Sequence, residues 1–490
     1  MLIIRNLGCE LSGRKVFNNI SFSLKEGEVI AVTGSASSGK TILAYCLTGI
    51  IPYRINGEIY GEAILDGENI LRRKPGELID KIGFLMQNYE IQIFGLTVEE
   101  ELRYALENIG LDEKEITKRI NYVLNVMGLE GFRYYKTSQL SSGMKKKLIL
   151  ASLIALKPKV MILDDPLLNL DWIGVEKLKD AIQRLKREGI SFIILTKCSK
   201  WLEDIIDKTI SLDNNVLHSN SECDRDLLPY TNTRINTNSS SDPDNTLASM
   251  ENTWFKYSDT DYVIKNISLV IKKRDIISLL GPNGSGKTTL IKLLTGLLKP
   301  SKGRVVLAGK DTRRYSASSL ARHATIVFQN PDRYIVFDTI WDEVSFGCRN
   351  LGLPPENIEN ALRIVGLYEK RFEAPYKLSS SEKYKVGIAS AIAIDPDILI
   401  LDEPPIGCDP EIEKIIKSIT EYMYRNNKAA IIVTHDTDLA VKLSNRVAIL
   451  KNGILVADTK PEALYNDRLA NEIGIRPVYN KKIVREEMIA

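Results

Sequence analysis

The segment Gly34-Ser-Ala-Ser-Ser-Gly39-Lys40-Thr41 returns as Gly281-Pro-Asn-Gly-Ser-Gly286-Lys287-Thr288, and no other feature constrains the fold of this chain so strongly. Glycines in such a loop allow a tight backbone path, so that its N–H groups converge where a helix begins. The repetition extends beyond the loop. Gln87-Asn88 returns as Gln329-Asn330, Leu140-Ser141-Ser142 as Leu378-Ser379-Ser380, and Leu163-Asp164 as Leu401-Asp402. The order is kept while the offset drifts only from 247 to 238, so one domain plan is written twice. A chain of 490 residues is also too long for one ordinary core.

Inside each copy, apolar runs alternate with helical patterns. Glu28-Val-Ile-Ala-Val-Thr33 and Val160-Met-Ile-Leu163 read as strands buried on both faces. Strand, glycine-rich loop, helix and returning strand predict an α/β domain with a largely parallel core sheet. Between the copies the composition shifts to Asn, Ser, Asp and Thr, as in Ser239-Ser-Ser-Asp-Pro-Asp-Asn245. Such a stretch buries too little to offset its ordering entropy. The expected organisation is therefore a first domain over 1–213, a flexible linker over 214–246, and a second domain over 247–490 with a short C-terminal extension.

The loops carry phosphate chemistry. The backbone around Gly34, Ser35, Ser38 and Gly39, and around Gly281, Asn283, Gly284 and Gly286, is suited to cradle phosphate oxygens. Lys40 and Lys287 would reach the outer phosphates of a nucleotide, the hydroxyls of Thr41 and Thr288 would hold Mg²⁺, and Thr289 follows in the second copy. A carboxylate at the end of a buried strand is the second requirement, holding Mg²⁺ through water. Asp164 and Asp402 stand there, after Val160-Met-Ile-Leu163 and Ile398-Leu-Ile-Leu401. Taken alone, an acid at a strand end is a cap or a solvated turn; two copies, each paired with a phosphate loop, outweigh that.

Composition narrows the partners. A net charge of +3 from 66 basic and 63 acidic residues gives no basic stripe for nucleic acid. No apolar run reaches the roughly 18 residues of a membrane span. The chain starts on the strand-like Leu2-Ile3-Ile4 without a signal-peptide pattern, so it is expected in the cytosol, with any membrane role exercised through a partner. Its six cysteines include no Cys-x-x-Cys pair and read as buried thiols.

With these motifs in place, the chain resembles the ATP-binding-cassette family over nearly its whole length. The family's marker, Leu-Ser-Gly-Gly-Gln followed by basic residues, is resembled by Leu140-Ser-Ser-Gly-Met-Lys-Lys-Lys147 and less closely by Leu378-Ser-Ser-Ser-Glu-Lys383. The resemblance implies two P-loop ATP-binding-cassette domains, each a mainly parallel core sheet with a helical subdomain. The stretches after the glutamines resemble the energy-coupling-factor importers, whose ATPases read Gln-Asn-Pro-Asp-x-Gln and then Thr-Val-x-Glu-Asp/Glu. Here the first copy keeps Gln92 but has Tyr89 for the proline; the second keeps Pro331 and Asp332 but has Tyr334 for the second glutamine. Such ATPases work at the cytoplasmic face of the membrane with a transmembrane coupling protein and a substrate-binding membrane subunit. Their cargo class is a vitamin, a vitamin precursor or a metal ion. Glu90 and Asp332 would meet a basic residue of that partner.

The resemblance further implies that the two domains pair head to tail, each ATP held by one domain's loop and the other's signature. Site B would then combine Lys287, Thr288, Gln329 and Asp402 with Glu403 as catalytic base, His435 as γ-phosphate switch and Tyr257 stacked on adenine. Ser141 and Gly143 of the first signature would face it. Site A would combine Lys40, Thr41, Gln87 and Asp164 with Ser379 of the second signature, the glutamines completing the Mg²⁺ shell in both sites. In site A, Asp165 stands for the base, Lys197 for the switch histidine, Ser380 and Ser381 for the signature glycines, and Leu7-Gly8-Cys9-Glu10 offers no aromatic. Site B is expected to hydrolyse ATP and site A only to bind it. A tandem ATPase of translation or repair is the rival class. It is disfavoured by the missing cysteine-rich domain, the short polar linker and the mere 101 residues between Lys40 and Ser141. A tandem sugar-importer ATPase is disfavoured by the Gln-Asn-Pro-Asp region.

Overall fold

A computed structural model of the chain describes residues 2–34, 38–168, 170–197, 199–213, 216–218, 245–258, 261–405 and 410–478. They form two compact units, one for each copy of the motif set.

The first unit is built on a six-stranded sheet in the order Val216–His218, Lys208–Asp213, Val29–Thr33, Ser191–Leu195, Val160–Asp164, Ile82–Leu85. All neighbours are parallel except the edge pair Val216–His218 and Lys208–Asp213. The continuous apolar runs have a direct cause: alternate residues enter two different cores. Val160 and Ile162 join the core behind the phosphate loop, with Leu43 and Leu47, while Met161 and Leu163 join a core closed by helices. Those helices are Val98–Asn108, Glu113–Met127 and Ser142–Ala155. Thr97 and Asp112 accept hydrogen bonds from Glu100 and Glu115 N–H at their starts, and Gly128 ends the second in a left-handed conformation.

The second unit repeats the plan, its core sheet running Ala324–Val327, Ile398–Asp402, Ala429–Val433, Ile276–Leu280, Arg446–Lys451, Ile454–Thr459. Only the last pair is antiparallel. Ile398 and Ile400 face one core, Leu399 and Leu401 the other. Helices Ile340–Leu351, Glu356–Ile364 and Ser380–Ala393 form its helical part. The expected α/β plan with parallel cores and helical parts is thus observed in both units.

Each unit also carries a four-stranded antiparallel sheet absent from the sequence reading: Arg14–Leu24, Leu2–Leu11, Glu58–Leu65, Glu68–Asn69 in the first, with an equivalent set around Thr246–Phe255 in the second. The expected linker over 214–246 takes in two pieces of regular structure. Val216–His218 is an edge strand of the first unit, and Thr246 already opens a strand of the second. Residues 214, 215 and 219–244 of the linker lie outside the described residues, as do 479–490 of the C-terminal extension. Among the described residues no helix is long and apolar enough to cross a membrane.

Candidate functional site

Each phosphate loop leaves the end of a buried strand and turns into a short helix, Lys40–Leu47 or Lys287–Leu294. Both helices start on a left-handed glycine, Gly39 or Gly286, with no side-chain cap, so their first N–H groups are left for another acceptor. The first glycine of each loop is forced by close approach. A Cβ on Gly34 would stand 2.6 Å from the Leu212 carbonyl oxygen, and one on Gly281 2.1 Å from that of Leu450. Lys40 and Lys287 curl back over their loops, donating to the Gly34 and Gly281 carbonyls at 2.7 Å each. Lys40 also donates to Ser38 at 3.2 Å, and Lys287 to Pro282 at 3.1 Å. Both lysines are buried, and burial pulls Lys287 below the ordinary lysine range. In the second loop Gly284 has a φ of 75° and Asn283 is exposed, while Thr289 is buried. Ser35 of the first loop lies outside the described residues.

The structure brings the strand carboxylates to the loops. Thr41 Oγ1 donates to Asp164 at 2.8 Å, and Thr288 Oγ1 to Asp402 at 3.3 Å. A hydroxyl beside a carboxylate is a hard-oxygen pair that fits Mg²⁺. Among the described residues no group of three or more His, Cys, Asp or Glu could cage a metal, so ligands from phosphate and water would have to complete the shell. Burial pushes both carboxyls up to about 6, opposed by the threonine hydrogen bonds and the nearby lysines. A folded-state pKa raised from 3.8 to about 6 means that stability falls as pH rises through that window, by up to about 3 kcal/mol per site. Asp164→Asn and Asp402→Asn are therefore expected to raise the melting temperature of the nucleotide-free protein at pH 8 and to leave it unchanged near pH 4. Equal shifts at both pH values would contradict a cost due to ionisation.

Beyond the strand ends the two units diverge. Asp165 and Glu403 adopt the same uncommon backbone, φ 44° and φ 47°, and each donates its N–H across the sheet, to Leu195 at 2.8 Å and Val433 at 2.9 Å. Left-handed non-glycine residues at matching places mean that the chain aims this side chain in both units. Their surroundings differ. Glu403 Oε1 lies 2.7 Å from His435 Nε2. Burial would raise the Glu403 pKa, but His435 and Lys287 outweigh it and hold the carboxyl below its usual range. Asp165 has no imidazole: Gln87 donates to it at 3.4 Å and the Lys197 backbone also hydrogen-bonds it. Burial leaves the Asp165 pKa raised despite Lys40 and Lys197. Gln87 and Gln329 are both exposed after their strands. Tyr257 packs edge-on against Phe255, its hydroxyl 3.3 Å from that of Thr289, so the aromatic stands beside the second loop's helix.

The signatures diverge too. Ser141 caps Ser142–Ala155 by accepting from Met144 N–H, and no atom lies within 4 Å of where a Cβ on Gly143 would stand. Ser379 caps Ser380–Ala393, but its hydroxyl also donates to Glu382 at 2.9 Å, and Glu382 accepts from Ser379 N–H at 3.0 Å. This capping box ties up Ser379 and places a carboxylate at the helix start, its pKa pulled down to about 2 chiefly by Lys370. The Ser-x-x-Glu spacing announces it and was missed. Also missed was Lys146, buried after the first signature, which donates to the Pro166 and Leu168 carbonyls just past Asp165 and lies 5.1 Å from the Tyr89 ring. Burial brings it down to about 8.

Comparison of the sequence with known proteins gives the family. The family model described as "ABC transporter" matches residues 17–168 and 264–405. A protein of Methanosarcina acetivorans named "Putative ABC transporter ATP-binding protein" is 31% identical over 93% of this chain and 91% of its own length. One of the same name from Caldanaerobacter subterraneus is 27% identical over 91% of this chain and 88% of its own. Among solved structures, CbiO1 of Clostridium perfringens, described as part of the ABC transporter complex CbiONQ, is 30% identical. It covers 50% of this chain and 98% of its own, with a TM-score of 0.42.

Proposed function

The chain belongs to the ABC transporter family as an ATPase with two ATP-binding domains in one polypeptide, and from that premise we propose that it energises an energy-coupling-factor type importer through two unequal ATP sites. The observation that carries the inequality is the 2.7 Å contact between Glu403 and His435, set against Asp165 beside Lys197. An ionised glutamate held by an imidazole can polarise an attacking water, and the imidazole can meet a γ-phosphate oxygen. A shorter carboxylate lacking that partner keeps the electrostatics of binding and loses the geometry of attack. The second phosphate-loop set (Lys287, Thr288, Gln329, Asp402, Glu403, His435, with Tyr257 on the adenine) hydrolyses. The first (Lys40, Thr41, Gln87, Asp164) binds. Thr41 with Asp164, and Thr288 with Asp402, would hold Mg²⁺, which would supply charge neutralisation to the phosphates. The domains divide at 1–213 and 247–490, with Val216–His218 added to the first and Thr246 to the second.

The importer reading rests on the stretches after the two glutamines. Glu90 and Asp332 each pair with a lysine early in their own signature helix, Lys145 at 3.2 Å and Lys383 at 2.6 Å. Both acids remain more than half exposed, and exposed apolar side chains follow them in the sequence: Ile91, Phe94 and Leu96 in the first unit, Val336 in the second. Exposed apolar side chains that follow an exposed acid in the sequence suit a membrane subunit's helix that brings its own basic residue in place of the lysine. The partners proposed are a transmembrane coupling protein and a substrate-binding subunit, at the cytoplasmic face, with a vitamin, vitamin precursor or metal ion as cargo. Glu90→Lys with Asp332→Lys is expected to release the membrane proteins that co-purify after mild detergent extraction, with ATP affinity unchanged. A complex that survives the double reversal would remove these acids from the contact, and co-purification with ribosomes or DNA would refute the transporter assignment.

A further inference from the structure

The described C-terminal segment of the second unit ends in a stretch without regular structure, yet that stretch is buried. Ile475 and Val478 enter a small core with Leu280, Ala440, Val447 and Ile449. Leu280 is the residue before the phosphate-loop Gly281, and Ala440 lies on helix Thr437–Leu443 just after His435. Between the two apolar anchors, Arg476 is only 4% exposed. Its guanidinium donates to Asp436 at 3.1 Å and to Asp438 at a closer distance.

Asp436 is the immediate neighbour of His435. Its N–H donates to the Thr434 hydroxyl at 3.0 Å, and its carboxylate caps the following helix by accepting from Asp438 and Leu439 N–H at 2.9 and 3.1 Å. His435 is thus carried on a two-sided turn whose carboxylate is also held by Arg476. A buried arginine is tolerated only when paired, and two carboxylates two residues apart repel unless a cation lies between them. We propose that Arg476 is a positioning residue for hydrolysis: by clamping Asp436 and Asp438 it fixes the turn that holds His435 against Glu403, so the C-terminal segment sets the switch of the second ATP site. The inference rests on the reading of His435 as that switch.

The test uses the full chain with Arg476→Gln, Arg476→Lys and His435→Ala, singly and combined, reading kcat and KM for ATP beside thermal stability. A displacement of about 1 Å in a catalytic group can cost on the order of 100-fold. Arg476→Gln is expected to lower kcat by about 10-fold or more with KM within about twofold, and Arg476→Lys to recover much of that loss. In the His435→Ala background Arg476→Gln should cost nothing further, because both changes remove one function. If Arg476→Gln does not fold, Asp436→Asn, which can still cap the helix but takes the charge from the arginine's contact beside His435, is read for the same selective fall in kcat. Full kcat with a lowered melting temperature would make Arg476 a structural strut and overturn the proposal, as would losses that multiply in the double variant. Intact hydrolysis in His435→Ala alone would sink the switch reading itself, a result distinct from failure of the clamp.

Discussion

Glu403→Gln is expected to lower steady-state ATP hydrolysis by about 10²–10⁴-fold, whereas Asp165→Asn should leave it within about twofold. The expectation follows from two side chains launched from the same backbone. Asp165 and Glu403 share the left-handed conformation and the cross-sheet N–H bond, so neither differs in how it leaves its strand. They differ in length by one methylene and in what meets the carboxylate. Glutamine at 403 keeps the shape and can still hydrogen-bond His435, but it carries no charge with which to polarise water. A loss of 10³ corresponds to about 4 kcal/mol of barrier, far above the fraction of a kcal/mol for an acid that takes no part. Lys197 adds to the contrast: an ammonium only donates, whereas an imidazole can donate and accept. Losses of similar size from the two substitutions, measured as phosphate release at saturating ATP, would contradict two unequal sites.

Much of this was legible in the sequence because it depends on local rules. A phosphate loop needs glycines at fixed spacing and a buried strand before it, and both copies carry them from Gly34 and Gly281. Asp164 and Asp402 were found because a strand buried on both faces is a continuous apolar run, and its last residue is the first free to be charged. The antiparallel sheets were harder to read. Leu2–Leu11 pairs with two neighbours and shifts register with Arg14–Leu24 between Ile4 and Leu7 and again twice before Glu10, which breaks the two-residue period that announces a strand. The ion pairs were hidden for another reason. Glu90 meets Lys145 and Asp332 meets Lys383 across 55 and 51 residues, and Arg476 reaches back 40 to Asp436, so only the folded chain brings them together. Tyr334, read as a departure from the importer pattern, has its own accommodation. Gln92 in the first unit ties Phe84 to Met86 by accepting from the Met86 N–H and donating to the Phe84 carbonyl, both at 2.9 Å. Tyr334 instead fills a space that exists because residue 387 is glycine; a Cβ there would stand 2.3 Å from its hydroxyl.

The first phosphate loop is expected to keep its ATP through many turnovers of the second. The groups proposed to bind are in place among the described residues: Lys40 is buried over the loop, and Thr41 meets Asp164 at 2.8 Å, closer than the 3.3 Å of Thr288 and Asp402. On the proposed reading the groups for attack are changed at Asp165 and Lys197; in the second unit the Ser379 hydroxyl is engaged by Glu382. A site that binds without cleaving releases its ligand only by dissociation, and each tenfold slower release needs only about 1.4 kcal/mol. Two ATP-binding domains in one chain also stay at roughly millimolar effective concentration, so a retained nucleotide need never wait for a second chain. The most direct measurement loads the protein with labelled ATP, adds excess unlabelled ATP, and follows the bound label while phosphate release is counted. About one intact labelled ATP per chain, outlasting many turnovers, is the predicted result; loss of all label as ADP within the first turnover would show that both sites fire and would contradict the account.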